Sequence, residues 1–273
     1  MPLSYDLVER NDDDSRRTAG RIADAAARAG LIRDERQPDV VIAVGGDGTM
    51  LQAFHLHRDR LDRVAFIGVH TGHLGFFSDW KPDEIDTLVR LMAEAGSAER
   101  LRTVRHPIVQ VTVATATDER SLLALNEFTV RGAENMLVAQ IRINGEPFEM
   151  FRGDGICVSS PSGSTAYNKS LGGAIIHPSI EAIQIAEMAS INNRVYRTLG
   201  SPIVLPKHHH CDILPREGQK LLLTVDHLGE TREDVRSIRC SVADAKVTFA
   251  RLRAFPFWTR VREAFIGPDF QKP

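Results

Sequence analysis

The stretch Val40-Val41-Ile42-Ala43-Val44-Gly45-Gly46-Asp47-Gly48-Thr49 decides the fold of the first part of the chain. A short β-branched run that ends in glycines and leads into a helical pattern reads as strand, tight turn, helix. Glycine lets the backbone turn sharply and approach a ligand with no β-carbon in the way. The N–H groups that open the following helix then face a phosphate favourably. Asp47 separates this turn from an ordinary nucleotide loop. A carboxylate beside phosphates repels them unless a metal ion lies between, or unless the acid takes up a proton during reaction. That combination points to phosphoryl transfer. The turn is not a P-loop, since no Gly-Lys-Ser/Thr follows, and Leu51 stands where the dinucleotide fingerprint needs its third glycine.

Working outward, the stretch from Arg16 to Leu31 shows Ile22, Ala26, Ala29 and Ile32 at roughly helical spacing, so a helix precedes the strand at 40–44. Thr49 to His57 reads as the next helix, with Thr49 or Asp47 placed to cap it. Val64 to Val69 is a second buried strand, followed by the loop His70-Thr71-Gly72-His73-Leu74-Gly75-Phe76, and Pro82 to Glu94 is a helix. Strands alternating with helices imply a parallel sheet, so residues 1–100 read as a Rossmann-like, doubly wound α/β domain. Neighbouring strands at 40–44 and 64–69 would bring both glycine loops to one carboxyl edge, where open α/β sheets bind ligands. His73 is read as a loop histidine with a local hydrogen bond.

After Arg100 the rhythm changes to alternation, at 106–113, 122–130 and 137–143, with Asn144-Gly145 as a hairpin turn. Further strands fit 155–159, 221–225, 235–242 and 246–250, with one helical interlude at about 180–190. Residues 101–251 therefore read as a mostly antiparallel, β-rich domain. The aromatic segment Phe255-Pro256-Phe257-Trp258 to Phe265, within a tail of about 252–273, is expected to pack back on the first domain.

Composition narrows the function classes. Lys and Arg number 34 against 36 Asp and Glu, a formal net charge of −2, so nothing argues for a nucleic-acid partner. No apolar stretch is long enough to span a membrane, and the polar, acidic opening Met1 to Asp14 shows no signal peptide. Cys157, Cys211 and Cys240 are odd in number and widely spaced, which suits reduced thiols in a cytoplasmic protein.

Two further motifs carry chemistry. Asn126-Glu127 interrupts an apolar run, and an Asn side chain offers two donors and an acceptor, enough to read the edge of a purine. The stretch Arg152-Gly153-Asp154-Gly155 to Ser159-Ser160-Pro161-Ser162-Gly163-Ser164-Thr165-Ala166-Tyr167-Asn168 runs a strand into a loop dense in small hydroxylated residues, with Tyr167 able to stack or hydrogen-bond. Lys207-His208-His209-His210 reads as a solvated loop, because adjacent side chains converge poorly on a metal, and Cys157 reads as a buried structural thiol.

In this order, Gly-Gly-Asp-Gly-Thr, Thr-Gly-His-Leu-Gly-Phe, Asn-Glu and Gly-Asp-Gly…Pro-Ser-Gly-Ser-Thr-Ala-Tyr-Asn resemble the NAD kinase family. The resemblance runs from about Asp39 to Arg262 and is most like the short bacterial enzymes of Gram-positive type, given Asn168-Lys169-Ser170-Leu171-Gly172-Gly173-Ala174. It implies an α/β domain, a β-rich domain and a homo-oligomer, a dimer or a tetramer built from dimers, with sites shared between subunits. Asp47 matches the catalytic base. Gly48 lies beside the nucleotide, with Gly45, Gly46 and Thr49 forming the phosphate loop. Asn126 and Glu127 match residues that hold the adenosine half of NAD. Thr165, Ala166, Tyr167, Asn168 and Ser170 line adenine and ribose, and Ala189 and His227 match further contacts. Arg152 and Asp154 match binding positions, Asp154 toward a nucleotide held mainly by the neighbouring subunit. Family members usually open with an apolar strand, whereas Leu3 to Val8 is short and partly polar, which puts that strand in doubt.

The implied reaction moves the γ-phosphoryl group of ATP, or of polyphosphate in its place, to the 2′-hydroxyl of the adenosine ribose of NAD, giving NADP. A divalent ion, Mg²⁺ or another, would offset the repulsion between the phosphates and Asp47. Glu127 either helps hold that ion or hydrogen-bonds substrate or backbone. A lipid or sphingoid-base kinase shares the Gly-Gly-Asp-Gly turn, and a catalytically silent NAD(P)-binding sensor shares the binding residues. The Pro161–Asn168 loop disfavours the first and the retained Asp47 the second.

Overall fold

The computed structural model of the chain describes residues 2–72, 74–254 and 256–267. His73 and Phe255, both singled out above, lie outside the described residues. The chain divides into two compact units, Met1–Arg105 with the returning segment that begins at Val247, and His106–Lys246.

In the first unit the elements run β1 (Ser4–Glu9), α1 (Asp13–Arg28), β2 (Ile32–Arg33), β3 (Val40–Gly45), α2 (Asp47–Leu56), β4 (Ala65–His70) and α3 (Ile85–Ala95). The order β2-β1-β3-β4 is parallel throughout. β3 and β4 are buried on both faces, which is why their sequences are continuous β-branched runs without alternation. The partly polar opening is a strand after all: five residues of β1 pair with Val40–Val44, and Leu3, Tyr5 and Leu7 enter the core with Ile42, Val44 and Leu88. Asp12 caps α1 by accepting from the Ser15 N–H at 3.0 Å.

In the second unit follow β5 (Thr103–Ala114), β6 (Glu119–Ala124), β7 (Glu127–Gly132), β8 (Leu137–Ile143), β9 (Glu146–Gly153), β10 (Gly155–Ser159), the one-turn helix α4 (Tyr167–Ser170), β11 (Ala182–Met188), β12 (Ile203–Pro206), β13 (His210–Pro215), β14 (Leu221–Val225), β15 (Leu228–Arg232) and β16 (Ser237–Ala250). One antiparallel sheet has the order β12-β11-β10-β7-β14-β15. A second antiparallel set joins β9, β8, β13 and the first part of β16. Apolar side chains from both, among them Phe128, Phe151, Ile213 and Ile238, form one core.

Three expectations are corrected here. Residues 180–190 hold a strand, not a helix. β11 is buried at nearly every position between β10 and β12, so its sequence shows no alternation. Its one central polar side chain, Gln184, accepts from Ala174 N at 2.8 Å and donates to Ala174 O at 3.0 Å. The run 122–130 is two strands, broken at Leu125-Asn126, where backbone N–H groups turn to a carboxylate rather than a neighbouring strand. The runs 235–242 and 246–250 are one strand. Exposed Asp244 interrupts the apolar pattern but not the strand.

The last residues of β16 return to the first unit, where Thr248 and Phe249 pair parallel with Ala65 and Phe66. The helix α5 (Phe257–Phe265) follows. Phe76 stacks on Phe265 with ring centroids 5.7 Å apart, and Arg253 lies 3.7 Å over the Trp80 ring.

Candidate active site

In the first unit Gly45 closes β3, Gly46 is the N-cap of α2, and Asp47 is its first residue. Neither Asp47 nor Thr49 caps the helix by its side chain, contrary to the expectation from sequence. The Asp47 carboxylate is engaged elsewhere. Oδ2 accepts from Phe76 N at 2.8 Å and Oδ1 from Phe77 N at 3.1 Å. Those donors belong to the loop after β4, which doubles back beside its own strand: His70 N donates to Trp80 O and Asp79 N to Gly68 O. β3 and β4 are neighbours, so both glycine loops leave one carboxyl edge. Thr49 is buried in the first turn and Gly48 is exposed.

In the second unit the break between β6 and β7 is organised by Asp226. Its carboxylate accepts from the N–H groups of Leu125 (2.9 Å), Asn126 (2.7 Å) and Glu127 (3.2 Å), and its own N–H returns a bond to Glu127 O at 2.9 Å. Asp226 stands in the left-handed region at φ 53°, in the tight turn between β14 and β15, a conformation that Asp tolerates better than most residues. From the other side Ser160 N donates to Asn126 O, and Ser160 Oγ donates to Leu125 O while accepting from Gly163 N. Gly163 passes so close that a β-carbon there would lie 2.1 Å from Asn126 O.

The turn is held from both sides, yet Asn126 Oδ1 and Glu127 Oε2 are buried with no hydrogen-bond partner. Buried polar atoms are seldom left so. Burial pushes the Glu127 carboxyl up from an ordinary 4.5 to about 8, and the neighbouring Asp226 carboxylate adds to the rise. At neutral pH it carries a proton.

The hydroxyl-rich loop is a 3₁₀ turn, Ser162–Thr165, leading into α4. Thr165 is buried and donates to Ser162 O at 3.2 Å, while Ser162 Oγ meets His106 Nδ1 at 3.1 Å. Tyr167 and Ser170 are exposed and Ala166 is half-buried. The Tyr167 hydroxyl donates to Met188 Sδ at 3.7 Å, and Met188 O accepts from Asp154 N at 2.9 Å. Tyr167, Asp154 and Ala189, the last at φ 46°, thus gather at the end of β11. Arg152 lies 5.3 Å from the centre of the Tyr196 ring, and its Nε is buried without a partner. Asn168 is wholly buried and shapes the loop from beneath, its amide 3.4 Å from Ser164 O. His227 is exposed beside Asp226 in the turn.

Cys157 is buried on β10, with its thiol pushed well above the ordinary range by burial. His208 and His209 lie in the turn after β12, His208 exposed and their rings packed edge to face. Among the described residues no three His, Cys, Asp or Glu side chains converge to hold a metal ion.

Sequence reasoning missed two anchors. Asp226 was marked only as the neighbour of His227 within the family resemblance and given no role, and Arg260, which holds the loop around Phe76, sits among residues read simply as packing.

The ATP-NAD kinase N-terminal domain matches residues 9–98, and the ATP-NAD kinase C-terminal domain matches residues 125–252. The chain belongs to the NAD kinase family. NAD kinase 1 of Bacillus cereus is 53% identical over 267 residues, covering 97% of this chain and 99% of that protein. NAD kinase 1 of Bacillus subtilis is 58% identical over 236 residues, covering 86% and 87%. Among solved structures, the crystal structure of yeast NADH kinase complexed with NADH has a TM-score of 0.82 over 99% of this chain and 90% of that one, at 18% identity. Across so low an identity the likeness shows the shared NAD kinase fold, an α/β domain followed by a β-rich one.

Proposed function

We propose that this NAD kinase transfers the γ-phosphoryl group of ATP to the 2′-hydroxyl of the adenosine ribose of NAD. The observation that carries the reading is Asp47, a carboxylate aimed by two backbone N–H donors at the start of α2, in a chain that matches both NAD kinase domains. A bond forms between the 2′-oxygen and the γ-phosphorus, the bond from that phosphorus to the β–γ bridging oxygen breaks, and ADP leaves. Asp47 orients the hydroxyl and takes its proton late, as the oxygen bonds to phosphorus. Positioning accounts for most of the acceleration in such transfers.

Gly45 and Gly46 before α2, with Gly48 and Thr49 in its first turn, form the phosphate loop, with backbone N–H groups facing the donor. Asn126 Oδ1 and the neutral Glu127 carboxyl, buried and unpartnered within the chain, supply an acceptor and a donor to the adenosine half of NAD. Thr165, Ala166, Tyr167 and Ser170 line adenine and ribose above buried Asn168. Ala189, His227 and Arg152 add contacts, and exposed Asp154 reaches a nucleotide on a second copy of the chain.

A divalent cation such as Mg²⁺ supplies charge neutralisation on the phosphate chain. Held on the donor phosphates, such an ion would offset their repulsion of the Asp47 carboxylate. The edge strand β9, with Phe148 and Met150 exposed, supports assembly into homodimers or homotetramers. The free, buried cysteines Cys157, Cys211 and Cys240 support a cytoplasmic setting.

The test is NADP formation from NAD and Mg-ATP, read by a dehydrogenase that accepts NADP alone. Wild type is expected to give signal, and Asp47→Asn to lose at least about a hundredfold in turnover, the scale of a lost acid–base group. Near-normal turnover in the variant removes Asp47 from the role of base.

A further inference from the structure

We infer that Arg260 is a positioning residue for the transfer, acting through the loop that aims Asp47, and this rests on the reading of Asp47 as base. Arg260 lies on α5, 185 positions from Gly75 in the chain, yet its guanidinium sits inside that loop. Nη1 donates to Gly75 O at 2.8 Å and to Ser78 O at 2.5 Å, and Nη2 donates to Asp79 Oδ1 at 2.6 Å. Between the two bonded carbonyls lie Phe76 and Phe77, whose N–H groups are the donors to Asp47.

One side chain thus fixes both ends of the segment that presents those donors. The guanidinium is itself fixed. Asp79 is buried, with 4% of its side chain exposed, and its other oxygen accepts from Arg251 Nη1. Arginine suits this place because its planar fork serves several acceptors at once in fixed directions, which a lysine ammonium does not. Rings of α5 close on the same segment, Phe257 and Phe265 on Phe76.

A structural role alone is served differently. Arg253 docks the same returning segment through Trp80 and Glu84, outside residues 75–79. Arg260 differs in holding the peptide groups that bracket the Asp47 donors. Displacing such a carboxylate by about 1 Å costs on the order of a hundredfold in rate.

The experiment compares Arg260→Gln, Arg260→Lys and Arg253→Gln in the wild-type and Asp47→Asn backgrounds. Steady-state kinetics for NAD and ATP, thermal unfolding, and hydrogen exchange of the peptide containing Phe76 and Phe77 are read for each. Arg260→Gln is expected to lower kcat about ten- to hundredfold with little change in either KM, and to speed exchange at those amides. Arg260→Lys is expected to recover only part of the loss, and it takes the place of the glutamine variant should that one fail to fold. In the Asp47→Asn background the Arg260 substitution is expected to cost less than about twofold, since the group it positions is gone. Loss of thermal stability with kcat retained, as expected of Arg253→Gln, would overturn the inference, and so would an equal rate loss in both backgrounds. Near-normal turnover of Asp47→Asn alone instead overturns the role of Asp47, and the exchange data then decide separately whether Arg260 orders the loop.

Discussion

Asp47 lies against the backbone of Gly75, so close that a β-carbon on Gly75 would sit 2.1 Å from Asp47 Oδ1. The carboxyl carbon and the other oxygen would lie 2.6 and 2.8 Å from that carbon, so the whole carboxylate must shift. Gly75→Ala is therefore expected to fold, since the position is in a loop, and to lose at least about tenfold in kcat through a displaced carboxylate. Initial rates beside a circular-dichroism spectrum check this. Wild-type turnover in the alanine variant would show that the carboxylate needs no fixed direction.

Glu127 makes stability depend on pH. Its folded value of about 8 lies above the ordinary 4.5, so the folded chain keeps a proton that the unfolded chain has released between those values. The stability linked to this group is complete below about pH 4.5, falls as pH rises, and is fully lost above about pH 8. Glu127→Gln removes the titration. Relative to wild type the variant is expected to gain stability steadily from pH 5 to pH 8.5, by on the order of a few kcal/mol, since each tenfold change in proton affinity is worth about 1.4 kcal/mol. Urea unfolding across that range decides it, and a difference independent of pH would refute the assignment.

Asp226 serves three N–H groups at once. Asp226→Ala is expected to destabilise the chain by on the order of 3 kcal/mol, given about 1–3 kcal/mol for each buried donor left without a partner, and to raise the KM for NAD. Asp226→Asn keeps one acceptor oxygen and the tolerance for a left-handed backbone, so a smaller effect is expected. Thermal unfolding and NAD titration rank the two variants. Equal effects would place the role in charge rather than in the bonds.

The three thiols are expected to be silent in the native protein. All are buried, and burial pushes Cys211 up to about 12 and the other two above their ordinary range. A thiol-specific reagent should detect none at pH 7.5 and all three after unfolding in guanidinium. Reaction of one thiol in the folded enzyme would reveal an opening of the β-rich unit.

Much of the architecture was legible because β3 and β4 are buried on both faces and therefore read as unbroken β-branched runs between helical patterns. The same property hid β11. Ala182–Met188 is equally buried, but Gln184 and Glu187 interrupt its apolar letters at helical spacing, and only the tertiary partner Ala174 explains the glutamine. The motifs located Asp47, Asn126 and Glu127 without showing what holds them. Two of their supports, Asp226 and Arg260, act through backbone groups of other residues, and such bonds leave no local pattern in a sequence.

The anchor of Phe76 and Phe77 arrives from far downstream, at Arg260, just as the Asn126 turn waits for Asp226, 100 positions on. A ribosome therefore exposes the four motifs quoted from the sequence, the last ending at Asn168, well before the chain can complete either support. Until residue 260 has emerged, the loop that aims Asp47 lacks its anchor, so a product terminated before that point would spend ATP and NAD far more slowly than the whole chain.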